Sequence, residues 1–326
     1  MSTNKSHIYT LSLTEKILYG ILYGVSYTVS LLPFWILYRL SDLCYLIAYY
    51  LVRYRRKLVR KNLVDSFPEK DAKEIIKIEK RFYQWLCDYL FETIKLLSIS
   101  KDEMMRRMEF RGIEKMNSAA AENRSCAVYV GHYCNWEWVT STQLWMPENM
   151  IGTQVYHVLE NKVFDKFFLH IRSRWKMVSI PMAEILRRVA QYHRDNQSVG
   201  IGYLSDQAPF WNNIHHWTNF LNHDTPVLTG AEKITKRFDD KVVYFDISRP
   251  KRGYYVLDVI ELADHSKDIP DYEVTEAYFK VLEQSIRRQP EFWLWTHNRW
   301  KRTREEYNKL AATGAFNMMP IEENKN

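Results

Sequence analysis

The chain has 326 residues, of which 26% are charged and 46% are hydrophobic, a balance that excludes both an intrinsically disordered chain and a polytopic membrane protein. Its net charge of +7 and its pI of about 9.0 favour anionic partners such as anionic lipid, an acidic protein or nucleic acid. The length fits one large domain with a membrane or helical appendage.

The first predicted element is apolar. Between Lys16 and Arg39 lie 22 residues without charge, close to the roughly 20 that a membrane-spanning helix needs. A second apolar run at 43–52 is too short to span, and the basic segment RYRRKLVRK follows at 53–61. Basic residues beside an apolar segment favour the cytoplasmic face and anionic headgroups. We therefore predict that residues 1–61 form a membrane anchor, which either spans the bilayer or lies in its interface; a buried helical hairpin is the alternative.

A helical pattern fills residues 62–121, most clearly at 71–97, where apolar positions recur at steps of three and four. From residue 126 the pattern changes to short segments rich in β-branched and aromatic residues, which predict strands at 126–130, 152–159, 199–204, 241–248 and 254–262. Helices are predicted between and after these strands at about 135–145, 161–175, 182–195, 229–237 and 275–288. Segment 249–255 predicts a turn that joins the last two strands as a hairpin.

This alternation predicts the fold class, an α/β fold with a mostly parallel mixed sheet covered by helices and an N-terminal membrane-associated helix. We predict three parts along the chain. They are the anchor with its basic segment at 1–61, a catalytic-type domain with its helical lead-in at 62–314, and a mobile polar tail at 315–326.

The stretch GHYCNWEW at 131–138 carries the candidate catalytic pair. His132 is predicted at the carboxyl end of a strand, the edge at which open α/β sheets bind ligands. Glu137, in the first turns of the next helix, can fold back, fix the histidine tautomer and raise the basicity of its other nitrogen. Gly131 removes a side chain where a substrate must approach. The spacing alone is weak, and a histidine hydrogen-bonded at the edge of an aromatic core is the alternative.

Segment 212–224 holds three histidines and an aspartate, for which metal ligation is conceivable. A solvated loop is the plainer interpretation, and we predict no metal site. Four aromatic residues in or beside this segment predict either a wall of an acyl-chain groove or ordinary core packing: Phe210, Trp211, Trp217 and Phe220.

The four cysteines match no zinc or redox spacing and are predicted to be reduced core thiols: Cys44, Cys87, Cys126 and Cys134. The sequence has neither a glycine-rich phosphate loop nor a GxSxG nucleophile elbow. These absences favour direct attack by an acceptor hydroxyl over an acyl-enzyme route.

Several blocks along the chain resemble one family. GHYCNWEW resembles the H-x4-D/E block of glycerolipid-type acyltransferases, in particular the late acyltransferases of lipid A assembly, the lauroyl and myristoyl transferases, within the lysophospholipid acyltransferase-like superfamily. Further blocks follow in the family's order over roughly residues 15–305: YRRKLVRKNLVDSFPEK, NKVFDKFFLHIRSRWK, YLSDQAP and FWLWTHNRWKRTRE.

The resemblance implies a glycerolipid-acyltransferase-like fold and an acyltransferase without a cofactor. The expected donor is an acyl carrier protein thioester, and the expected acceptor is a hydroxyl of a membrane lipid, first of all a lipid A precursor. The implied location is the inner membrane, with the catalytic domain on the cytoplasmic side and no role for nucleic acid. A lyso-phospholipid or an ornithine- or glycine-headed aminolipid stays open as the acceptor, and a non-catalytic basic membrane-surface protein is the alternative of a different class.

Matching positions imply roles for individual residues. His132 is expected to be the general base and Glu137 its orienting carboxylate. Arg172 is expected to steady the thioester oxyanion or an acceptor phosphate, because both need a fixed cationic donor. Arg174, its neighbour, is a second candidate for contact with the substrate. Both arginines lie in the HIRSRW segment.

Two later blocks add further candidates. Asp206 and Gln207 are expected to contact the substrate, to shape the site or to hold a helix end. Residues of the terminal block are expected to bind an anionic headgroup or carrier phosphate, or to order the site from behind: His297, Arg299 and Lys301. The basic segments 53–61 and 299–304 are the expected contacts for the acidic carrier or for lipid headgroups. Asn298 and Asn222 depart from the family pattern and leave the substrate open.

Overall fold

The computed structural model describes residues 10–314, so the predicted polar tail at 315–326 lies outside the described residues. The α-helices are α1 (Leu13–Ser30), α2 (Phe34–Leu46), α3 (Arg56–Ser66), α4 (Ala72–Lys95), α5 (Lys101–Arg107), α6 (Glu114–Ala121), α7 (Lys162–Arg172), α8 (Ile185–Arg194), α9 (Gly230–Phe238), α10 (Glu273–Arg288) and α11 (Arg304–Ala312). The strands are β1 (Met108–Arg111), β2 (Cys126–Val130), β3 (Ile151–Tyr156), β4 (Val178–Pro181), β5 (Val199–Leu204), β6 (His216–Phe220), β7 (His223–Val227), β8 (Lys241–Lys251) and β9 (Tyr254–Ala263).

Within the described residues, seven strands form one sheet in the order β1-β9-β8-β2-β5-β3-β4. The five strands from β8 to β4 run parallel, whereas β9 is antiparallel to β8 and β1 runs parallel to β9. Strand β2 lies inside the sheet, and all five of its residues are buried, as is typical of a parallel strand covered on both faces. The predicted α/β fold class with a mostly parallel mixed sheet is confirmed.

The two faces of the sheet are covered by different elements. Helix α10 packs on one face, where the Tyr278 ring lies 5.1 Å from the Tyr129 ring of β2. The other face presents Val128 of β2 beside Gly202 of β5, and α6 and a 3₁₀ helix at Trp138–Leu144 cover it. Because glycine has no side chain, this second face leaves space above the strands.

Helix α4 reaches from the surface to the candidate site. It begins at a capping box in which Asp71 and Glu74 satisfy backbone donors of the first turn. Its apolar positions recur with the helical period and bury one side of the helix against the rest of the fold. That buried side also carries three carboxylates, Glu79, Asp88 and Glu92, which are 0%, 2% and 1% exposed.

Helices α1 and α2 are bent by 118° at a break that contains Pro33. Among the described residues, no single helix is long and apolar enough to cross a membrane, although Leu13–Ser30 and Phe34–Leu51 together have the length and composition of a broken span or a re-entrant loop. Both helices pack against α4, and α1 also packs against α7. The expected N-terminal membrane helix therefore stays a prediction.

The structure differs from the sequence-based elements at several places. Strand β1 lies inside the stretch predicted to be helical, because four residues pair with the edge of β9. Strand β4 was not predicted at all. The helix expected from about residue 135 is a 3₁₀ helix that begins at Trp138. The supposed solvated loop at 212–224 contains the β6–β7 hairpin, whose Phe220 is fully buried.

The basic segment at 53–61 is also partly structural. Arg56 and Arg60 bind the fully buried carboxylate of Glu79, and Arg55 donates its Nη1–H to the Thr296 carbonyl at 2.9 Å. These arginines stabilise the packing of α3 on α4 and on the terminal segment. Three of the six cations in this segment are therefore held by other groups of the protein.

Candidate active site

The site lies at one edge of the sheet, where two neighbouring strands end. Strands β2 and β5 are parallel partners, with Val130 opposite Leu204 at their last paired positions. His132 follows β2 and Asp206 follows β5, each two residues after the strand ends. The sheet therefore brings together two side chains that are 74 residues apart in the chain.

Asp206 binds His132 at two points. Its Oδ1 lies 2.6 Å from the imidazole Nδ1, and its Oδ2 accepts the His132 backbone N–H at 3.0 Å. The Trp293 indole N–H donates to the same Oδ2 at 2.8 Å. Burial alone would raise the pKa of Asp206, but the His132 ring and these hydrogen bonds lower it to about 2. Asp206 is therefore an anion at neutral pH.

The ionised carboxylate sets the tautomer of the histidine. Because Asp206 can only accept, Nδ1 carries the proton and Nε2 keeps its lone pair. The amide nitrogen of Gln207 lies 3.3 Å from Nε2 and is the group that an incoming hydroxyl must displace. The His132 side chain is 16% exposed, so its free nitrogen is within reach of a ligand. This arrangement is that of a general base.

The predicted pairing of His132 with Glu137 is wrong. Both ring nitrogens of His132 have other partners, and Glu137 accepts two hydrogen bonds from Arg172, from Nε at 2.9 Å and from Nη2 at 2.5 Å. The reason lies in the loop between the two residues. Cys134 has a left-handed φ of +51° and donates its backbone N–H to Phe292, and Asn135 donates to Glu92 at 2.7 Å. The loop therefore turns the Glu137 side chain away from the imidazole.

The Glu137–Arg172 pair is shielded from water. Their side chains are 2% and 22% exposed, and the Tyr89 hydroxyl lies 3.4 Å from Glu137 Oε1. Burial alone would lower the pKa of Arg172, but the Glu137 charge and hydrogen bonds raise it above its ordinary value, so the guanidinium stays charged. Its fork geometry leaves Nη1 outside the bidentate contact. That nitrogen is the donor available to a substrate oxygen.

Trp136 connects the two polar pairs. Its ring lies 5.2 Å from the His132 ring in an edge-on contact and 4.2 Å from the Tyr89 ring. Trp136 therefore lies between His132 and Tyr89, the residue that touches Glu137. The His132–Asp206 and Glu137–Arg172 pairs therefore share one aromatic wall.

An apolar cavity begins at this wall. Trp136 lines it together with the sheet face that carries Val128, Gly152, Gly200 and Gly202. Three methionines from surrounding segments line it as well: Met116, Met146 and Met177. At Gly200 an added Cβ would lie 2.9 Å from Met146 Cε, so a larger residue on this strand would push into the methionines. The glycines therefore keep the cavity open above the sheet.

The remaining predicted substrate contacts have structural partners. Arg174 donates Nη1–H to the Leu96 carbonyl at 2.6 Å and also donates to the Ile99 carbonyl, so its donors hold the end of the α4 segment. Arg299 is fully buried and donates to the Pro226 carbonyl at 2.7 Å, which corrects the expectation that it meets a headgroup. Burial lowers the pKa of Arg299 to about 10.

His297 and Lys301 differ from each other. His297 Nε2 accepts the Ala208 backbone N–H at 3.2 Å, next to the segment that carries Asp206 and Gln207. Burial, helped by the Arg299 charge, lowers the pKa of His297 to about 3, so the ring is neutral. Lys301 is exposed. His297 therefore holds the backbone beside Gln207 in place, whereas the role of Lys301 stays a prediction.

The histidine-rich segment 212–224 and the four cysteines are arranged as follows in the described part of the chain. No group of three or more His, Cys, Asp or Glu side chains in residues 10–314 is arranged to hold a metal ion. His216 instead binds Glu276 at 2.6 Å. The four cysteines are free thiols, as predicted, with Cys44 half-buried and the rest buried.

Sequence reasoning missed the partners that complete the site. Asp206 was assigned to substrate or to shaping the site, and the contributions of Trp293, Tyr89 and Asn135 were not foreseen. An aspartate directly after a buried strand was the available signal. This signal predicts the pairing of Asp206 with His132 only if β2 and β5 are known to be neighbours. The spacing of the residues along the chain does not give the order of the strands.

Comparison with known proteins agrees with this geometry. The model of the family "Bacterial lipid A biosynthesis acyltransferase" matches residues 8–302. The chain is similar to a lipid A biosynthesis lauroyltransferase from Escherichia coli (strain K12), with 25% identity over 278 residues that cover 84% of this chain and 88% of that protein. The matched region contains every residue of the two polar pairs and of the cavity.

Proposed function

Because the chain belongs to the bacterial lipid A biosynthesis acyltransferase family, we propose that it transfers a fatty acyl chain from an acyl carrier protein thioester to a hydroxyl group of a lipid A precursor. Family membership makes the protein an acyltransferase, and the donor and the acceptor are the proposed parts. The observation that carries the proposal is the His132–Asp206 pair with its basic Nε2 beside an apolar cavity.

The proposed reaction is a direct acyl transfer. The acceptor hydroxyl displaces Gln207 from His132 Nε2, gives its proton to that nitrogen and attacks the thioester carbonyl. The carbon–sulfur bond then breaks, and the departing thiolate takes the proton from the imidazolium. Asp206 stays ionised throughout and stabilises the positive ring, as a buried carboxylate beside a histidine does in acyl-transfer enzymes generally.

Arg172 is the proposed electrostatic partner of the tetrahedral intermediate. The carbonyl oxygen becomes an anion during attack, and a preorganised cation in a site with little water stabilises it more than the neutral ground state. Glu137 holds the guanidinium in place by its two hydrogen bonds, which makes it a positioning residue in this mechanism. Nη1 is then the proposed donor to the oxyanion.

The apolar cavity is the proposed site for the fatty acyl chain. Its present volume of about 40 Å³ holds only about three water molecules at ~10–15 Å³ each, so a chain must displace side chains as it enters. The methionines suit this role, because an unbranched thioether side chain changes rotamer at little cost. The acyl carbonyl would then lie at the Trp136 end of the cavity, beside His132.

The N-terminal helices are the proposed membrane contact. Their outer sides expose a continuous set of apolar side chains to the surroundings, including Leu13, Ile17, Ile21, Val25 and Trp35, each at least half exposed. Soluble proteins rarely expose so many neighbouring apolar side chains to water, and a position of these helices in the membrane interface explains their exposure. We place the protein at the inner membrane with the site on the cytoplasmic side, where an acyl carrier protein is available.

Two arginines of the terminal basic segment are held by the protein itself. Arg302 is 7% exposed and lies over the Phe210 and Trp211 rings, so reversing its charge would test folding and not binding. Arg304 is held by both carboxylate oxygens of Asp224. Four cations of the basic segment at 53–61 are exposed: Arg53, Arg55, Lys57 and Lys61. Arg55 donates to the Thr296 carbonyl, and Lys61 pairs with Asp65. We therefore propose Arg53 and Lys57 for contact with the acidic carrier.

The test is the lipid profile of a deletion strain carrying the wild type, His132→Ala or the matched control His265→Ala. His265 is exposed and follows β9, whose antiparallel direction puts its end at the opposite edge of the sheet. We expect lipid A to lack one acyl chain in the deletion strain and to regain it with the wild type and the control only. Unchanged lipid A with a missing aminolipid or phospholipid species would overturn the acceptor, and restoration by His132→Ala would overturn the mechanism.

The donor is tested with the purified protein in detergent micelles. We expect a kcat/KM for the acyl carrier protein thioester at least tenfold above that for the same chain on coenzyme A. We also expect this preference to shrink in the double variant Arg53→Glu, Lys57→Glu. Equal use of the two donors by the wild type would overturn the carrier as donor.

A further inference from the structure

A second cavity, of about 300 Å³, lies where α2, α4 and the end of β8 meet. Its volume is at the lower end of the ~300–1,000 Å³ range of small-molecule sites. It is polar, whereas the cavity proposed for the acyl chain is apolar. None of the groups assigned to the acyl-transfer mechanism lines it.

Two buried donors at this cavity have no partner. The Arg249 side chain is 8% exposed; its Nη2 donates to Asp88 at 2.6 Å, and its Nε has no hydrogen-bond acceptor. Trp85 is 1% exposed, and its indole N–H also lacks an acceptor. Unpaired buried donors are costly and rare in folded proteins. Both nitrogens are shielded from solvent, so a ligand in the cavity can accept from them only when neighbouring side chains shift.

The charge of the cavity favours an anion. Asp88 is already occupied, because it accepts hydrogen bonds from Ser41, Arg249 and Arg252. The lining contains four cations against three carboxylates, so one positive charge is left over. At the rim, Arg81 is 54% exposed and approaches Glu291 only to 3.6 Å, and Lys251 is exposed. Both rim cations can therefore turn toward a ligand.

We propose that this cavity binds a phosphate group, either the phosphate monoester of a sugar headgroup or inorganic phosphate. A phosphate presents several strong acceptor oxygens, which match the guanidinium of Arg81 and the ammonium of Lys251 at the rim. The volume exceeds what one phosphate needs and leaves room for an attached sugar. For the headgroup, this inference rests on the proposed acceptor.

The place of the cavity suits a lipid headgroup. Asp42 of α2 lines it, and the same helix exposes Trp35 at 69%, about two turns earlier, and Leu43 at 55%. A polar cavity beside an apolar helix face lies at headgroup depth when that face enters a membrane. The rim residues Arg81 and Lys251 would then meet the phosphate from the water side.

The cavity is also close to the catalytic loop. The Trp85 ring lies 6.1 Å from the Trp136 ring, which contacts His132. Phe292, another lining residue, accepts the Cys134 backbone N–H at 2.8 Å. A headgroup held here would place the rest of the acceptor beside the loop that carries the proposed base.

The first experiment uses the full chain in detergent micelles and titrates inorganic phosphate by calorimetry. We expect saturable binding by the wild type and by the control Arg187→Ala, a 73% exposed arginine of α8 at the far edge of the sheet. The double variant Arg81→Ala, Lys251→Ala should bind phosphate at least about tenfold more weakly, because the loss of each charge-assisted contact lowers the affinity several-fold. No binding by the wild type, or equal binding by the double variant, would overturn the proposal for free phosphate.

The second experiment compares acyl transfer to a phosphorylated acceptor and to its dephosphorylated form. We expect the wild type to show a roughly tenfold lower KM for the phosphorylated form, and the double variant to lose this ratio. A wild-type ratio near one would overturn the headgroup as the ligand. If neither acceptor receives a chain, the proposed lipid acceptor fails, while the phosphate titration still decides whether the cavity binds phosphate.

Discussion

Asp206 and His132 are 74 residues apart in the chain, yet one carboxylate fixes both the backbone and the ring of the histidine. The two contacts use different oxygens, so the ring cannot turn without breaking a bond to an anion buried beneath Trp293. A histidine held in this way keeps one tautomer and one direction for its free nitrogen. The first prediction concerns this carboxylate.

Asp206→Asn is expected to lower kcat by about 10²–10⁴-fold while the protein still folds. The amide has the same shape but can donate to Nδ1, which favours the tautomer with its proton on Nε2 and removes the base. The measurement is kcat for acyl transfer, with circular dichroism to verify the fold. Asp195→Asn, at an exposed carboxylate, is the control. A kcat within tenfold of the wild type would contradict the assignment.

Glu137 and Arg172 are expected to act as one unit. Glu137→Gln leaves a mostly buried guanidinium without its counter-charge and should lower the free energy of unfolding by about 3 kcal/mol. Arg172→Met removes the cation and should cost a similar amount, whereas the double variant should cost clearly less than the two together. Urea unfolding in micelles measures all three. Additive losses would show that the pair is not coupled.

Much of the fold could be predicted from local patterns. The five buried or half-buried strands from 126 to 262 and the helices between them have clear periodicities, and their alternation indicates a parallel sheet. Strands β1 and β4 have four residues each, which is too few for a periodic pattern. They form because they pair with strands already in the sheet, β1 with β9 and β4 with β3. The β6–β7 hairpin was hidden because its polar and histidine-rich sequence is typical of a loop.

The structure brings four candidate residues together but pairs them differently from the prediction. His132, Glu137, Arg172 and Asp206 were all selected from the sequence, but spacing along the chain assigned Glu137 to the histidine. The correct pairs depend on which strands are neighbours and on the left-handed turn at Cys134. Cysteine seldom adopts this conformation, so the sequence does not predict the turn. Tertiary arrangement decided what local spacing could not.

The buried histidine of the terminal block is expected to make the protein sensitive to acid. The pKa of His297 falls from 6.5 in the unfolded chain to about 3 in the folded protein. Between these values the unfolded chain holds the extra proton, so the free energy of unfolding decreases as the pH falls from 6.5 toward 3, by at most about 1.4 kcal/mol per pH unit. His297→Gln should flatten this slope between pH 6.5 and 4.

Urea unfolding at several pH values measures that slope. The range stays above the region near pH 2–4 in which Asp206 titrates. Glutamine can accept the Ala208 N–H through its carbonyl oxygen and so keeps the local hydrogen bond. The exposed His157→Gln is the control. Equal slopes for the wild type and His297→Gln would contradict the prediction.

The sequence suggested that Gly131 makes room for a substrate. In the structure it instead makes room for Leu282 of α10 beside the catalytic loop. A Cβ at this position would lie 2.5 Å from Leu282 Cδ1. Gly131→Ala is therefore expected to destabilise the protein by about 1–3 kcal/mol and to lower kcat by shifting His132. Adding Leu282→Ala should recover part of the activity by removing the contact. A double variant no more active than Gly131→Ala would show that the clash is not the cause.

The last prediction concerns the acyl chain. Gly200→Ala places a methyl group 2.9 Å from Met146 Cε and 3.1 Å from Met116 Cε, and both of these side chains line the cavity, so the added methyl is expected to narrow it. We expect kcat/KM for a longer acyl donor, divided by kcat/KM for a shorter one, to fall by about tenfold or more. One methylene group in a tight apolar site changes kcat/KM by about this factor. Adding Met146→Ala should restore the ratio. Gly24→Ala, with nothing within 4 Å, is the control. An unchanged preference in Gly200→Ala would place the chain elsewhere, because no acyl group could fill this cavity without meeting the new methyl.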